Sequence, residues 1–433
     1  MTANTGESGL NLFKQYKLHV LSFFILVLSL PFYRSISTWA IALTFIFSIA
    51  GTIKKRQLTG FHLHWFLPLL FLYYTVSFLI VGGEISSLEK RLPLIIIPLL
   101  VGLSPDLASS VNKKKVYQFF IVGNLLAVAI CFFRALTRSI HLANGTMQFN
   151  SQVVYDQNND FLTSSVMGGN YFFGSEFSYF LHPTYFGIFL VFAQALVYHL
   201  AISSKNDKKR LFGIVTYLLL FAALFLLSSK AAILSALLLT FYILTKLKLT
   251  LACKGSLILG FVAILLIFVF FNPRMRVFKD TFSIDRLIDP SARFGHDLRA
   301  LSWDASIDVI NDNWLLGVGE AKKDKVLVDK YIEKGYAIPA KEMFNSHNMF
   351  LDFAIAGGLM CASFFAIGLF IILRESLKQR NLIFSAFILI FTFNGLFENL
   401  LSRNWGIMLF SIFITLNTTN SKGRMSNKFD EIR

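Results

Sequence analysis

The sequence carries little charge for its length. Asp, Glu, Lys and Arg make up 15% of its 433 residues, where an ordinary soluble domain has about 25%. Cysteine is scarce: there are three, no pair of them looks suited to a disulfide, and there is no CxxC motif for zinc. Apolar residues reach 55%, Phe fills 48 positions, and mean hydropathy is +0.60. These proportions exclude a soluble enzyme, a disordered chain and a disulfide scaffold, and they indicate a polytopic membrane protein.

Apolar runs of roughly 15–20 residues without charge mark the candidate membrane spans. The fourth run is short and contains Pro93 and Pro98, so we expect it to be kinked or partly re-entrant. We predict an all-α polytopic membrane protein, a single integral membrane domain over residues 1–433 with about twelve transmembrane helices. The predicted spans are 18–33, 38–53, 65–82, 92–104, 116–136, 183–203, 211–228, 231–247, 256–271, 349–373, 381–396 and 404–417.

The net charge of +16 raises the possibility of a nucleic-acid partner, because basic proteins often neutralise phosphates. On the predicted map, however, one side of the membrane holds 22 basic and 6 acidic residues, while the other holds 19 of each. The positive-inside rule makes the basic side cytoplasmic, with both termini on it. The whole net charge is therefore explained by topology, and we predict no nucleic-acid partner.

Two long loops, 137–182 and 272–348, fall on the outer face, and the tail 418–433 falls in the cytoplasm. The loop 272–348 is the largest stretch outside the membrane. Its segment 297–313 has apolar residues at helical spacing, which predicts an amphipathic helix along the membrane surface. A stripe formed by Asp304, Asp308 and Asp312 is expected to be the solvated face of that helix.

Ionisable residues at span ends are candidates for function because they are costly to place there. Arg293 and Arg299 could bind a phosphate through bidentate hydrogen bonds; the alternative is ion pairing with loop aspartates. His347 could be a general base or an orienting group, or only a polar residue where a helix begins. Lys230 and Arg91 could add phosphate contacts; the alternatives are snorkelling and interfacial anchoring. These groups lie at the predicted outer boundary, whereas a transporter should place them near the midplane.

Three motifs follow one another on the predicted outer face. They are Ser228-Ser229-Lys230-Ala231-Ala232, then Arg293 and Arg299 with Trp303-Asp304-Ala305-Ser306 and Asn313-Trp314-Leu315-Leu316-Gly317-Val318-Gly319, then Ser346-His347-Asn348-Met349-Phe350-Leu351-Asp352 with Gly357-Gly358-Leu359. Together with the topology, they resemble the O-antigen ligase and O-antigen polymerase superfamily of bacterial lipid-linked glycan transferases. One departure is Lys230, which stands where the family has Arg and lacks its bidentate fork.

The resemblance implies a glycosyltransferase of GT-C-like architecture in the bacterial inner membrane. Its donor would be a glycan on undecaprenyl pyrophosphate and its acceptor the lipid A core, with no metal, nucleotide or other cofactor. It further implies that His347 activates or orients the acceptor hydroxyl, and that Arg293, Arg299, Lys230 and Arg91 hold the pyrophosphate. Polymerisation of lipid-linked repeats remains an alternative, and transport of lipid-linked sugars is an alternative from another class.

Overall fold

The computed structural model describes residues 17–55, 65–143, 145–153, 169–202, 204–246, 250, 252–253, 255–256, 259–260, 262–263 and 295–419. The chain divides into two compact units. The first comprises Met1–Asn124 and Leu401–Arg433, and the second Leu125–Leu400. Lys230, Arg299 and His347 all belong to the second unit.

Helices dominate the described part of the chain. In chain order they are α1 (Leu18–Ser29), α2 (Arg34–Lys55), α3 (Phe66–Val81), α4 (Ile85–Glu89), α5 (Pro93–Leu103), α6 (Ser110–Ser139), α7 (Gly174–Phe177), α8 (Pro183–Ile202), α9 (Asp207–Leu227), α10 (Lys230–Lys246), α11 (Gly295–Asp312), α12 (Lys323–Glu333), α13 (Ala337–Lys341), α14 (Met349–Lys378), α15 (Leu382–Gly395) and α16 (Asn404–Thr418). Short 3₁₀ turns cover Pro105–Ala108 and Leu400–Ser402.

Each predicted span except 256–271 coincides with one of these helices, and most of 256–271 lies outside the described residues. Among the described helices, α2, α6, α8, α9 and α14 contain apolar segments long enough to cross a membrane. Helices α1, α3, α10, α15 and α16 are apolar but shorter. The protein is thus a mostly helical membrane protein, while the number of twelve spans and the GT-C-like architecture stay predictions.

The first long loop contains regular structure that the sequence did not lead us to expect. Helix α6 runs on to Ser139 and continues directly into a β-hairpin of β1 (Ile140–Ala143) and β2 (Thr146–Phe149). The turn includes Gly145, whose φ of +75° suits a tight hairpin turn, because such turns need positive φ. Within the described residues, the fold is therefore helical apart from this two-stranded antiparallel sheet and an isolated bridge between Gln152 and Asn170.

The predicted amphipathic helix of the large loop is present as α11, and its spacing of apolar residues is confirmed by burial. Leu298, Leu301, Ala305, Val309 and Ile310 are all buried. They form one core with residues of α12 and with Ala354 and Ile355 of α14. Helix α11 therefore packs on a membrane-spanning helix, and burial of its apolar stripe holds the loop there.

Two glycines let the backbone of the loop and the backbone of α14 approach each other closely. Gly317 and Gly358 have φ angles of +66° and +69°, and α14 departs from helical geometry at Gly357 and Gly358. Three backbone hydrogen bonds cross the junction, from Val318 N to Ile355 O, Gly319 N to Ala356 O and Leu359 N to Trp314 O, at 2.9, 2.8 and 2.7 Å. We call residues 314–319 with 355–359 the glycine junction.

A side chain at either glycine would collide with backbone atoms of the opposing segment of the glycine junction. A Cβ atom at Gly358 would meet Leu315 O, and one at Gly317 would lie 2.5 Å from Ile355 O. Gly335 has a similar φ of +71°, but a Cβ there would have no atom within 4 Å. The three positions therefore separate the cost of the backbone conformation from the cost of the close contact.

Substituting Gly358→Ala should destabilise the protein much more than Gly335→Ala. Both variants have the conformational cost of positive φ, about 1–2 kcal/mol, and only Gly358→Ala adds the steric cost of about 1–3 kcal/mol or more. Thermal unfolding of the purified variants in detergent measures the difference. Equal destabilisation by the two substitutions would show that the close contact at the glycine junction is unimportant.

Candidate functional site

His347 lies in the connection between α13 and α14, in a conformation that few side chains adopt. Its φ is +45°. The side chain of Asn345 accepts a hydrogen bond from His347 N at 2.9 Å, and Asn348 caps α14 by accepting from the backbone N–H of Phe350 and Leu351. Asn residues favour such turns and caps because their short side chains reach nearby backbone donors. The sequence Asn-Ser-His-Asn therefore places the imidazole at the start of α14.

The imidazole of His347 faces a buried carboxylate. Its Nδ1 atom is 3.7 Å from Oε1 of Glu398, and the side chains are 24% and 8% exposed. Nδ1 itself is buried, so the exposed part of the His347 side chain lies on its other atoms. The separation exceeds that of an ordinary hydrogen bond. The arrangement leaves Nε2 as the ring nitrogen that could meet an acceptor.

Basic side chains lower the pKa of Glu398. Burial by itself raises the pKa of this carboxyl, but the His347 imidazole, followed by the charges of His182 and Arg299, outweighs that effect and holds the pKa below its usual range. Residue 398 follows α15 and is outside the helix. Glu398 is therefore an anion at neutral pH, and a buried anion of this kind needs nearby cationic or hydrogen-bonding groups.

Aromatic side chains pack against the His347 ring and against Phe397, the residue before Glu398. The ring centroid of Trp303, on α11, lies 6.2 Å from that of Phe397, and Phe344 packs edge-on to His347 at 5.2 Å. Within the described part of the chain, the indole nitrogen of Trp303 and Oε2 of Glu398 are buried without a hydrogen-bond partner. Buried polar atoms usually find a partner, so these two atoms are suited to contact polar groups that enter the site.

Only some of the predicted site residues come together around His347. Arg299, on α11, helps to lower the pKa of Glu398 through its positive charge. Lys230 is the first residue of α10 and is half-buried in the predicted hairpin, and its role in donor binding stays a prediction. Arg91 belongs to the other compact unit, where its guanidinium lies 4.0 Å from the ring centroid of Tyr74. Arg293 lies outside the described residues.

Sequence reasoning gave neither Glu398 nor His182 a role in the chemistry. His182 directly precedes α8, which begins at Pro183, and it contributes to lowering the pKa of Glu398. The sequence did offer one signal for Glu398: a carboxylate at the end of a predicted span is costly to place there and is therefore a candidate for function. The partner of that carboxylate, 51 positions away at His347, could not be read from it.

Buried ion pairs hold the loop that carries His347. Lys323 of α12 contacts both Asp352, in the first turn of α14, and Glu320, the latter at 2.9 Å. All three side chains are largely buried. Removing one member of such a set leaves a buried charge without compensation, which typically costs about 3–5 kcal/mol. These contacts fix α12 against α14 close to the histidine.

The aspartate stripe of α11 is not simply a solvated face. Asp304 and Asp308 both pair with Lys334, and the hydroxyl of Tyr336 donates to Asp304 at 2.6 Å. Burial raises the pKa of Asp304, but the hydrogen bonds from Lys334 and Tyr336 lower it below its usual value. Burial and then Asp304 raise the pKa of Tyr336 to about 12. Of the three aspartates, Asp312 is the most exposed.

Residues 214–366 match the O-antigen ligase family. The matched segment begins within α9 and ends within α14, and it includes Lys230, Arg299 and His347. This match confirms the resemblance to the O-antigen ligase and polymerase superfamily that the motifs indicate. Glu398 and His182 lie outside the matched segment. No curated protein matches the chain at a significant level.

The low pKa of Glu398 predicts how stability depends on pH. A carboxyl whose pKa is lowered by folding stabilises the protein above its ordinary pKa of about 4.3, and this stabilisation is lost as the pH falls through the lowered value. Glu398→Gln should therefore unfold at a lower temperature than the unmodified protein at pH 7. The difference should shrink as the pH falls below about 4. Thermal unfolding in detergent across this range measures it, and a difference independent of pH would contradict the assignment.

Proposed function

We propose that the protein transfers a glycan from undecaprenyl pyrophosphate to a hydroxyl of the lipid A core, at the outer face of the bacterial inner membrane. The observation that supports this function best is the pairing of His347 with the buried carboxylate of Glu398, with Arg299 nearby. His347 and Arg299 both lie within the segment that matches the O-antigen ligase family. The proposed topology has both termini in the cytoplasm.

In the proposed reaction, the acceptor hydroxyl oxygen attacks the anomeric carbon of the donor glycan. A glycosidic C–O bond forms. The C–O bond to the pyrophosphate breaks, and its electron pair stays on the oxygen of the departing pyrophosphate. The hydroxyl proton passes to Nε2 of His347, and the Glu398 carboxylate stabilises the resulting imidazolium through Nδ1. An imidazole suits this role because its unperturbed pKa of about 6.5 is close to neutral pH.

Undecaprenyl pyrophosphate leaves readily only if its developing charge is neutralised. In this proposal, Arg299 supplies that positive charge at the site, with Arg293 and Lys230 as further donor-binding residues, while the role of Arg91 stays a prediction from the sequence. Fixed cations aimed at the charge that develops in the transition state are an effective form of catalysis. Arginine suits a pyrophosphate because its planar fork makes two parallel hydrogen bonds, whereas Lys230 would act as a point charge.

Deletion of the gene from its host, followed by gel analysis of the surface polysaccharide, tests the function and identifies the acceptor. A ligase predicts a lipid A core without any attached glycan. A core that carries a single repeat would instead indicate a polymerase, and unchanged polysaccharide would contradict both.

Complementation of that strain tests the role of His347. His347→Ala should reduce glycan transfer at least about a hundredfold, because general acid–base catalysis contributes about 10²–10⁴ in rate. The amount of protein in the membrane should be unchanged. The control is His199→Ala, which replaces a histidine in the last turn of α8. This variant should restore the normal gel pattern. Full restoration by His347→Ala would refute its catalytic role.

Substitution of Arg299 tests donor binding. Arg299→Ala should raise the concentration of donor required for half-maximal transfer about tenfold or more, because a hydrogen bond to a charged group contributes about 1.5–3 kcal/mol. Arg299→Lys should recover part of this loss by keeping the charge. Lys325→Ala removes an exposed cation of the same loop and should change nothing. Unaltered donor dependence in both Arg299 variants would remove this residue from the donor site.

A further inference from the structure

The β1–β2 hairpin has one apolar and one polar face. Its register pairs Ile140 with Phe149 and Leu142 with Met147, and side chains alternate between the faces of a strand. These four apolar residues therefore share one face. His141 and Gln148 pair on the other face.

In the part of the chain that the structure describes, nothing packs over the apolar face of the hairpin. Leu142, Met147 and Phe149 are 82%, 76% and 63% exposed, and Ile140 is also exposed. Isolated exposed apolar residues are common, but a contiguous group on one side of a hairpin indicates a surface that contacts a partner or a membrane. The hairpin is short, so little of its own structure could cover this face.

The base of the hairpin is fixed to the end of a membrane-spanning helix. Asn150 N donates to Ser139 O, the last residue of α6, at 2.7 Å. On the far side, Gln152 pairs with Asn170, and Tyr171 N donates to Ser151 O at 2.9 Å. These backbone contacts therefore hold the base of the hairpin in a defined position at the end of α6.

The apolar face of the hairpin continues the apolar surface of α6. Phe132 and Phe133 of that helix are exposed. Phe172 connects the two surfaces, because its ring lies 5.7 Å from that of Phe132 and 6.2 Å from that of Phe149. On a helix that crosses a membrane, exposed phenylalanines face lipid. The same lipid layer thus borders the helix, Phe172 and the hairpin.

Cationic and aromatic side chains mark this end of α6 as the membrane–water boundary. Arg134 lies over the ring of Tyr179 at 4.4 Å, and Arg138 lies 5.8 Å from the ring of Tyr171. Tyrosines are enriched at the level of the lipid headgroups, and basic residues near helix ends place their charge there. This combination favours lipid over a protein partner as the occupant of the apolar face.

We propose that the β1–β2 hairpin lies in the headgroup region of the bilayer at this end of α6, with Ile140, Leu142, Met147 and Phe149 toward the acyl chains and His141 and Gln148 toward water. Amphipathic segments bind membranes in this way when an apolar face is buried beneath the headgroups. The hairpin anchors the first long loop to the membrane surface. This proposal is independent of the chemistry at His347.

Spin labels on the two faces test the proposal in the full-length protein reconstituted in phospholipid nanodiscs. Of the three cysteines, only Cys253 is exposed, so Met147→Cys and the matched control Gln148→Cys are made on a Cys253→Ser background. Collision with oxygen, which concentrates in the acyl chains, is compared with collision with a water-soluble nickel chelate. The ratio of oxygen to nickel accessibility should be severalfold higher at position 147 than at position 148. Leu142→Cys and His141→Cys should repeat the contrast on β1.

Two results would overturn the proposal. Equal, high nickel accessibility at positions 147 and 148 would place both faces in water. Protection of position 147 from both reagents would show that protein, such as a second copy of this chain, covers the apolar face.

Discussion

The close backbone contact at the glycine junction is the constraint on which the rest of the second unit depends. Only glycine has the positive φ and the lack of a side chain that Gly317 and Gly358 both require. Because they allow residues 314–319 to hydrogen-bond to the broken segment of α14, the segment that follows α11 becomes rigidly attached to α14. The buried stripe of α11 and the contacts of Lys323 with Glu320 and Asp352 reinforce the same attachment.

This attachment has a consequence for chemistry. His347 precedes α14, Arg299 lies on α11, and Glu398 follows α15, so three separate elements must be held together for their charges to interact. Catalytic groups work best when the surrounding structure fixes them before substrate arrives. The positive φ of His347 and its flanking asparagine contacts add local rigidity. Under the proposed function, this preorganisation lets an imidazole and a guanidinium act on one glycosyl pyrophosphate.

The sequence predicted structural features that depend on residues close together in the chain, and it did not predict contacts between distant residues. Local patterns were sufficient for the membrane helices, for the apolar stripe of α11 and for the tight turn before Lys230, because each depends on neighbours within a few residues. The hairpin at Ile140–Phe149 was missed although its Asn-Gly turn is a local signal. The pairing of His347 with Glu398 and the fit of Gly317 against α14 depend on distant parts of the chain coming together, so no spacing in the sequence reveals them.

The most direct measurement of the proposed function uses purified protein in proteoliposomes that contain a labelled glycan on undecaprenyl pyrophosphate and lipid A core as acceptor. No metal or nucleotide is added. We expect the label to appear on the lipid A core with release of undecaprenyl pyrophosphate in equal amount. Movement of the intact labelled lipid across the bilayer, with no label on any acceptor, would contradict glycan transfer and would indicate transport.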